Sequence, residues 1–281
     1  GLPTPTIDSS NFIFVLRFKD RKMYNSITFE QIGNVAKIAL NRPEKYNSFN
    51  REMALELQAA IDKCADDDSI RAILLTGTGK GFCAGQDLGE AVEDNGLTIT
   101  KIVEEHYNPI ILKLRAIEKP VIAAVNGIAA GAGASIALAC DICVATESAS
   151  FIQAFSKIGL IPDSAGTFFL PRLVGIHKAA ALMMTGEKVM AADAVAMNMI
   201  HKSFSDETFE EESMKMASKL SQLPTLAMGM TKRLLNQSYT NNLQEQLTAE
   251  GQIQTVCADS HDFNEGIAAF LEKRKPEFIG K

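Results

Sequence analysis

The chain has 281 residues, of which 46% are hydrophobic, enough for one large domain or for one core with an appendage. A net charge of −6 and a pI near 5.4 exclude a general nucleic-acid-binding surface, which requires clustered positive charge. No run of 18 apolar residues occurs, so the sequence predicts no membrane span, and we expect a cytoplasmic protein.

Five cysteines are present, an odd number without the spacing of a disulfide framework, which predicts free thiols in a reducing compartment. Cys140 and Cys143 form a C-x-x-C motif, but no second Cys pair or His pair accompanies it. The sequence therefore predicts no metal site.

Residues 1–22 are interpreted as an N-terminal extension. We hypothesise that it is non-native, because Met23 stands where a start would be natural. Residues 26–32 and 35–40 then alternate apolar and polar side chains, which predicts a β-hairpin that turns at Gly33.

A helix is predicted after the hairpin. Pro43 forbids a continuing central strand, and Asn50 is a suitable N-cap. The apolar residues between Met53 and Cys64 fall at helical spacing. The acidic run that follows ends the helix before a buried strand.

Two apolar runs, residues 70–76 and 121–125, are each followed by a loop of small residues, 81–88 and 126–134. Glycine and alanine at such turns let a ligand approach the backbone closely. N–H groups left free where a turn opens a helix are a ready site for developing negative charge. The two loops therefore predict two converging donors, as an oxyanion hole requires.

The polar segment 89–100 is either a lid or a solvated connection. A helix is predicted over 99–116, with Pro109 producing a kink or ending a turn. A helix over 132–139 and a strand over 142–145 follow. This βαβαβ alternation predicts an α/β fold with a parallel sheet covered by helices.

Helical patterns dominate from residue 177 to the end. The predicted helices cover residues 177–184, 191–196, 206–221, 225–238, 242–257 and 261–273. We therefore divide the chain into a core of residues 23–200 and a C-terminal helical segment of residues 201–281.

Signatures of several enzyme classes are absent from the sequence: it contains neither a G-x-S-x-G elbow nor a nucleotide P-loop, and no histidine stands beside a candidate nucleophile. The run from Gly131 to Gly133 begins like a dinucleotide fingerprint but lacks the later glycine, so close helix–strand packing explains it. Cys83 has no base near it in sequence and is predicted to pack in the interior.

Asp163 is the candidate acid or base. It precedes a predicted helical stretch, so one interpretation is an N-cap carboxylate. The alternative is catalysis, because its apolar neighbours should raise its pKa towards neutrality. Those neighbours are Phe155, Ile158, Leu160, Ile161, Phe168 and Phe169. The residues alone leave both interpretations open.

Four motifs occur in order: NRPEKYNS at 41–48, GFCAGQDL at 81–88, KPVIAAVNG at 119–127 and GLIPD at 159–163. Together they resemble the crotonase (enoyl-CoA hydratase/isomerase) superfamily, and the resemblance runs from about Ser26 to the C-terminus. It implies a spiral of ββα units with a C-terminal helical trimerisation segment, assembled as a homotrimer or a dimer of trimers.

The resemblance also implies that the substrate is an acyl-CoA thioester, with coenzyme A as part of the substrate and no separate cofactor. The thioester oxygen would lie between the N–H groups of Gln86 and Ala132. Lys273 would reach in from the C-terminal helix, on one hypothesis from a neighbouring subunit; the alternative is a solvated helix end. The implied substrate- and CoA-binding residues are Arg42, Lys45, Ala84, Gly85, Asp87, Leu88, Gly133, Phe270 and Lys273.

Two departures from the superfamily pattern indicate which reaction to expect. Hydratases of this superfamily carry two glutamates that bracket a water, and the matching positions here hold Ser135 and Phe155. Asp163 matches the position of the single acid in the isomerase branch and in the dehalogenase-like branch. Since one acid is sufficient to move a double bond, the resemblance implies an acyl-CoA isomerase with Asp163 as the acid/base.

Within the superfamily the chain most resembles the isomerases of ring 1,2-epoxyphenylacetyl-CoA in phenylacetate degradation, through residues 107–109, 155–163 and 269–281. Ser164-Ala165 replaces the Cys-Gly usual in that branch, and Phe168 replaces a tryptophan. The expected reactions are ring-epoxide to oxepin-CoA and 3-enoyl-CoA to 2-enoyl-CoA isomerisation. Two alternatives remain: a hydratase with a non-standard acid, and a non-catalytic acyl-CoA-binding protein.

Overall fold

Ten strands form two sheets in the computed structural model, which describes residues 24–92 and 97–281. The extension 1–22 and Met23 lie outside the described residues. The strands are Ile27–Ile32 (β1), Val35–Leu40 (β2), Ala72–Gly77 (β3), Gly81–Cys83 (β4), Val121–Val125 (β5), Ile128–Ala130 (β6), Ile142–Thr146 (β7), Ser150–Ile152 (β8), Lys188–Met190 (β9) and Lys202–Phe204 (β10).

The larger sheet has the strand order β1-β2-β3-β5-β7-β10. The predicted hairpin β1–β2 is antiparallel, and every other neighbouring pair in this sheet is parallel. β10 follows the predicted boundary at residue 200 and joins the core sheet beside β7. The predicted parallel sheet is confirmed.

The smaller sheet has the order β4-β6-β8-β9 and gives the fold its spiral. After β3, β5 and β7 in the larger sheet, the chain turns through a few residues into β4, β6 and β8 in the smaller one. Each turn therefore adds one strand to each sheet. The short strands β4, β6, β9 and β10 were not predicted, because three residues are too few to show a periodicity.

Twelve α-helices cover these sheets within the described residues. They are Arg51–Asp66 (α1), Leu88–Val92 (α2), Ile99–Lys101 (α3), Asn108–Ala116 (α4), Ala132–Ala139 (α5), Gly166–Val174 (α6), Ile176–Thr185 (α7), Ala191–Ala196 (α8), Phe209–Ser221 (α9), Thr225–Gln237 (α10), Leu243–Ala258 (α11) and His261–Glu272 (α12). The predicted helices match these within a few residues. As predicted, Asn50 caps α1, with its side chain accepting from the Met53 N–H at 2.9 Å.

The helix predicted over 99–116 is continuous but changes its winding. Residues Ile102–Tyr107 form a π-helical stretch between α3 and α4, and Pro109 lies in the first turn of α4. Because proline has no N–H to donate, the wider winding just before it disturbs the hydrogen bonding little. The predicted irregularity at Pro109 therefore takes the form of a π-bulge.

Both faces of the larger sheet are buried. Along β3, Ile73 and Leu75 face the main core with α1 and α5, while Ala72 and Leu74 face a second core against Phe209 of α9. This two-sided burial explains why the inner strands are apolar throughout instead of alternating. None of the helices in the described residues is long and apolar enough to cross a membrane.

Candidate active site

The two loops of small residues lie against each other. Gly85 has a φ of +94°, and a Cβ built on it would lie 3.0 Å from the Ala130 carbonyl oxygen and 3.6 Å from the Ala132 nitrogen. A Cβ on Gly131 would lie 4.0 Å from the Gly85 Cα. Both the left-handed φ and the lack of space require glycine at position 85. The loops therefore converge, as the sequence predicts.

Two N–H groups at this junction have no acceptor. Within the described part of the chain, neither the Gln86 N–H nor the Ala132 N–H donates a hydrogen bond, whereas the Gly131 N–H donates to the Ile152 carbonyl at 2.9 Å. Ala132 is the first residue of α5, so the helix dipole adds to the positive potential there. Such a pair of free donors is suited to an oxyanion.

The segment 42–49 is hydrogen-bonded along the first loop. The Ala84 N–H donates to the Tyr46 carbonyl at 2.9 Å, and the Phe49 N–H donates to the Gly85 carbonyl at 2.7 Å. Ala84 and Gly85 are thereby fixed, and the Asp87 N–H donates to the Phe49 carbonyl at 2.8 Å, so the Gln86 N–H between them is left without a bond to this segment.

Arg42 ties the same two segments together with its side chain. Its Nη2 lies 2.9 Å from the Asp87 carboxylate, and its Nη1 donates to the Ser48 carbonyl at 2.7 Å. Burial alone would raise the pKa of Asp87, but the hydrogen bond and charge of Arg42 outweigh it and lower that pKa. In a single chain Arg42 thus positions the first loop, while Lys45 and Leu88 are exposed beside it.

Tyr107, to which the sequence analysis assigns no role, orients the Gln86 side chain. Its hydroxyl donates to Gln86 Oε1 at 2.6 Å, and its ring packs edge-on against Phe49. The pKa of Tyr107 is raised well above its ordinary value by burial, and then by the charges of Cys83, Asp163 and Glu90. The only signals for this position in the sequence are Pro109 and the resemblance of residues 107–109, because the π-bulge that places Tyr107 is visible only in the structure.

Asp163 is not a helix cap. α6 begins at Gly166, its N-cap is Ala165, and no side chain caps it. Ser164 and Ala165 both have left-handed φ values, so the chain turns between Asp163 and the helix, and the Ser164 hydroxyl donates to the Asp163 carboxylate at 2.9 Å. The N-cap interpretation is wrong because of this turn.

Burial raises the pKa of Asp163 above its ordinary value, against the opposing effect of the Ser164 hydrogen bond. The predicted direction of the shift is confirmed. The apolar neighbours contribute unequally, because Phe155 and Phe169 are buried whereas Ile161 is 79% exposed. A partly buried carboxyl with a raised pKa is suited to accept and return a proton.

Ser135 and Phe155 lie close to the start of α6 and to the second loop, respectively. Ser135 is one turn along α5 from Ala132, and a Cβ on Gly166 would lie 2.7 Å from its hydroxyl oxygen. The Phe155 ring lies 3.8 Å from the Cβ position of Gly131. Neither side chain carries a carboxylate, so neither is suited to acid–base chemistry on a water molecule.

Two predictions of internal packing are confirmed. Cys83 is fully buried, and burial raises its pKa to about 12, so it remains a thiol. Gly133 has no space for a side chain, because a Cβ there would lie 2.4 Å from the Cys83 carbonyl oxygen. In the described residues, no group of three His, Cys, Asp or Glu side chains is placed to hold a metal.

The C-terminal candidates lie elsewhere in the single chain. Phe270 is 82% exposed on α12, and Lys273 is the C-cap of that helix. The tail after α12 packs near the start of β3, where Arg71 donates to the Phe278 carbonyl at 2.8 Å. Within the described residues, neither candidate forms a hydrogen bond with the two loops.

The family model described as enoyl-CoA hydratase/isomerase matches residues 30–281. The chain belongs to the enoyl-CoA hydratase/isomerase family. It is 45% identical to the 1,2-epoxyphenylacetyl-CoA isomerase of Escherichia coli K12 over 250 residues, which cover 88% of this chain and 95% of that protein. It is 41% identical to a probable enoyl-CoA hydratase of Rhodobacter capsulatus, over 92% of this chain and 99% of that protein.

Solved structures agree with this assignment to the enoyl-CoA hydratase/isomerase family. The structure of a Mycobacterium abscessus protein has a TM-score of 0.87 at 36% identity, covering 91% of this chain and 100% of that chain. The structure of an enoyl-CoA hydratase from Bacillus anthracis has a TM-score of 0.85 at 31% identity, covering 92% of this chain and 100% of that chain. The predicted crotonase fold is confirmed, and the protein is an acyl-CoA enzyme of this family.

Proposed function

We propose that the protein is an acyl-CoA isomerase that forms and reprotonates a thioester enolate. The observation that supports this most directly is a carboxyl with a raised pKa, Asp163, whose backbone is bonded to Gly166 beside Ser135, one turn along α5 from the free N–H of Ala132. Ser135 and Phe155 stand where a hydratase of the family needs carboxylates to activate water. One acid beside an oxyanion hole is sufficient to move a proton between two carbons.

The reaction on a 3-enoyl-CoA proceeds in two steps. The Asp163 carboxylate takes a proton from C2, and the electron pair of that C–H bond moves into a dienolate whose negative oxygen accepts hydrogen bonds from the Gln86 and Ala132 N–H groups. Asp163 then returns the proton to C4, which leaves the double bond at C2–C3. On a ring epoxide, Asp163 moves a proton or assists opening of the epoxide while the same donors hold the thioester oxygen.

The CoA part of the substrate is proposed to lie along the segment 42–49 and the first loop. Arg42, Lys45 and the backbone from Ala84 through Gly85 and Asp87 to Leu88 form one continuous edge. Gly133 adds a further N–H at the start of α5. The E. coli relative is named for a phenylacetate-derived substrate. We therefore place the protein in phenylacetate or fatty acid catabolism, in the cytoplasm.

A turnover screen over 3-enoyl-, 2-enoyl- and ring-epoxide-CoA esters tests this function. We expect isomerisation of a 3-enoyl-CoA or of the ring epoxide, and hydration of crotonyl-CoA slower by about 100-fold or more, since the second acid of a hydratase is missing. Products are separated by chromatography. Hydration at a rate near that of isomerisation would support the hydratase alternative, and binding of the esters without any turnover would support a non-catalytic protein.

We also propose assembly into a homotrimer or a dimer of trimers through the C-terminal helices. Large apolar side chains are exposed there: Leu243 at 75%, Phe270 at 82% and Leu271 at 73%. An apolar cavity of about 440 Å³ opens between α10 and α12 beside them. A monomer rarely exposes a contiguous apolar surface of this kind to water. Assembly would also bring Phe270 and Lys273 of one subunit towards the CoA edge of another.

Light scattering should give a molar mass of three or six times the 30.5 kDa chain. Phe270→Glu is expected to shift it towards that of one chain, because a charge in an apolar interface is left unpaired. Leu112→Glu is the matched control, since Leu112 is 68% exposed on α4, outside these helices. A wild-type mass of one chain, or equal effects of the two variants, would count against this assembly.

A further inference from the structure

Two buried polar oxygens near Asp163 have no partner. The Ser135 hydroxyl and Oε1 of Gln153 form no hydrogen bond within the described residues, although the two side chains are only 1% and 5% exposed. Leaving such atoms unpaired costs free energy, so buried polar groups in native proteins nearly always have a partner. Their partner is therefore a group that the folded chain itself does not supply.

The two oxygens lie close to one residue, Gly166, the first residue of α6. The Cβ position of Gly166 lies 2.7 Å from the Ser135 oxygen and 3.6 Å from Gln153 Oε1, so the two oxygens are at most 6.3 Å apart, the sum of those distances. A single atom between them can be within hydrogen-bonding distance of both. Glycine at 166 keeps this space open, because a methyl group there would meet the Ser135 hydroxyl.

This space adjoins the reacting part of the site. The Gly166 N–H donates to the Asp163 carbonyl at 2.9 Å, so Gly166 is fixed to the acid. Ser135 lies on α5 three residues after Ala132, and residues at that spacing share one face of a helix. The unpaired oxygens thus adjoin both the segment that carries the acid and the helix that carries an oxyanion donor, close to where the acyl group of the proposed substrate would bind.

We propose that Ser135 and Gln153 form a polar subsite that binds an oxygen atom of the acyl group, distinct from the thioester oxygen. The subsite rests on the proposed acyl-CoA function and narrows its substrate class to esters that carry an epoxide, ether or hydroxyl oxygen close to the thioester. The Ser135 hydroxyl donates to any of these oxygens. The Gln153 amide accepts from a hydroxyl through Oε1, or donates through its NH₂ group after a half-turn.

Binding of two unreactive esters that differ by one methoxy group tests the subsite. Wild-type protein is expected to bind 2-methoxyphenylacetyl-CoA about 5- to 10-fold more tightly than phenylacetyl-CoA, as one added hydrogen bond to the ether oxygen predicts. Ser135→Ala and Gln153→Met should each reduce the ratio of the two Kd values to near 1 without weakening the binding of phenylacetyl-CoA. Calorimetry gives all Kd values. Because there are two independent variants, the subsite can still be tested if one of them does not fold.

Ser213→Ala is the matched control, because Ser213 is also buried but bonds to the Glu210 carbonyl on α9, away from the site. It should keep the wild-type ratio. If Ser135→Ala weakened the binding of both esters equally, or if the wild-type Kd ratio were near 1, the subsite proposal would be wrong. Either result would indicate that a resident water forms hydrogen bonds with the two side chains. Either result would leave the isomerase function to be judged by turnover.

Discussion

Replacing Asp163 by Asn is expected to lower kcat by about 100-fold or more and to leave the binding of acyl-CoA esters nearly unchanged. The amide keeps the shape of the side chain but cannot accept a proton from carbon. The oxyanion donors and the CoA edge are backbone groups and side chains that the change does not touch. Stopped-flow or steady-state turnover gives kcat, and calorimetry with an unreactive ester gives Kd.

The pH profile provides a second test of Asp163. Its carboxylate form is the base, and burial raises its pKa, so wild-type kcat should fall as the pH decreases through that raised value. The residual activity of Asp163→Asn should lack this limb. Asp193→Asn, at an exposed site on α8, is the control and should keep the wild-type profile. A full acid limb in Asp163→Asn would assign the base to another group.

The stability of Asp163→Asn should change in the opposite direction from its activity. A carboxyl whose pKa is raised on folding binds more protons folded than unfolded, so its contribution to stability decreases as the pH rises from the ordinary pKa of aspartate to the raised value. The Asn variant lacks that penalty. Its Tm should therefore exceed that of the wild type at pH 7, and the difference should shrink towards acidic pH.

The sequence predicts the elements that carry long patterns. The hairpin β1–β2, helix α5 and the helices after residue 177 follow from runs of alternating or helically spaced apolar residues. The smaller sheet is not visible in this way, since β4 and β6 are three residues long and rich in small residues. Their identity depends on partners that are distant in sequence, which no local propensity encodes.

The candidate site also has some features that the sequence predicts and others that it does not. The convergence of the two loops follows from their glycines and from the parallel order of the strands before them. The contact between Tyr107 and Gln86, and the neighbourhood of Ser135, Gln153 and Gly166, depend on how α4, α5 and α6 pack. The cap interpretation of Asp163, one of the two left open by the sequence, is wrong for a local reason: two consecutive non-glycine residues in left-handed conformation, at 164 and 165, are rare enough that no pattern predicts them.

Gly85→Ala is expected to lower kcat/KM by about 100-fold or more, because it separates the two oxyanion donors. The added methyl group would meet the Ala130 carbonyl at 3.0 Å, and φ at Gly85 is +94°, a conformation that alanine rarely adopts. The loop must move, and the Gln86 N–H moves with it. Losing one such donor typically costs about 2.7–4 kcal/mol of transition-state stabilisation. Turnover of the best substrate from the screen measures the loss.

Gly33→Ala separates this effect from general backbone strain. Gly33 also has a positive φ, +57°, but nothing lies within 4 Å of its Cβ position, and it is in the hairpin turn between β1 and β2, away from the loops. Gly33→Ala should lose about 1–2 kcal/mol of stability, the usual cost of a left-handed residue with a Cβ, and Gly85→Ala should lose at least as much because of its added contact with the Ala130 carbonyl. Gly33→Ala should keep full kcat/KM. If Gly85→Ala lost stability but kept its activity as well, the Gln86 N–H would not be an oxyanion donor, and the convergence of the two loops would serve packing alone.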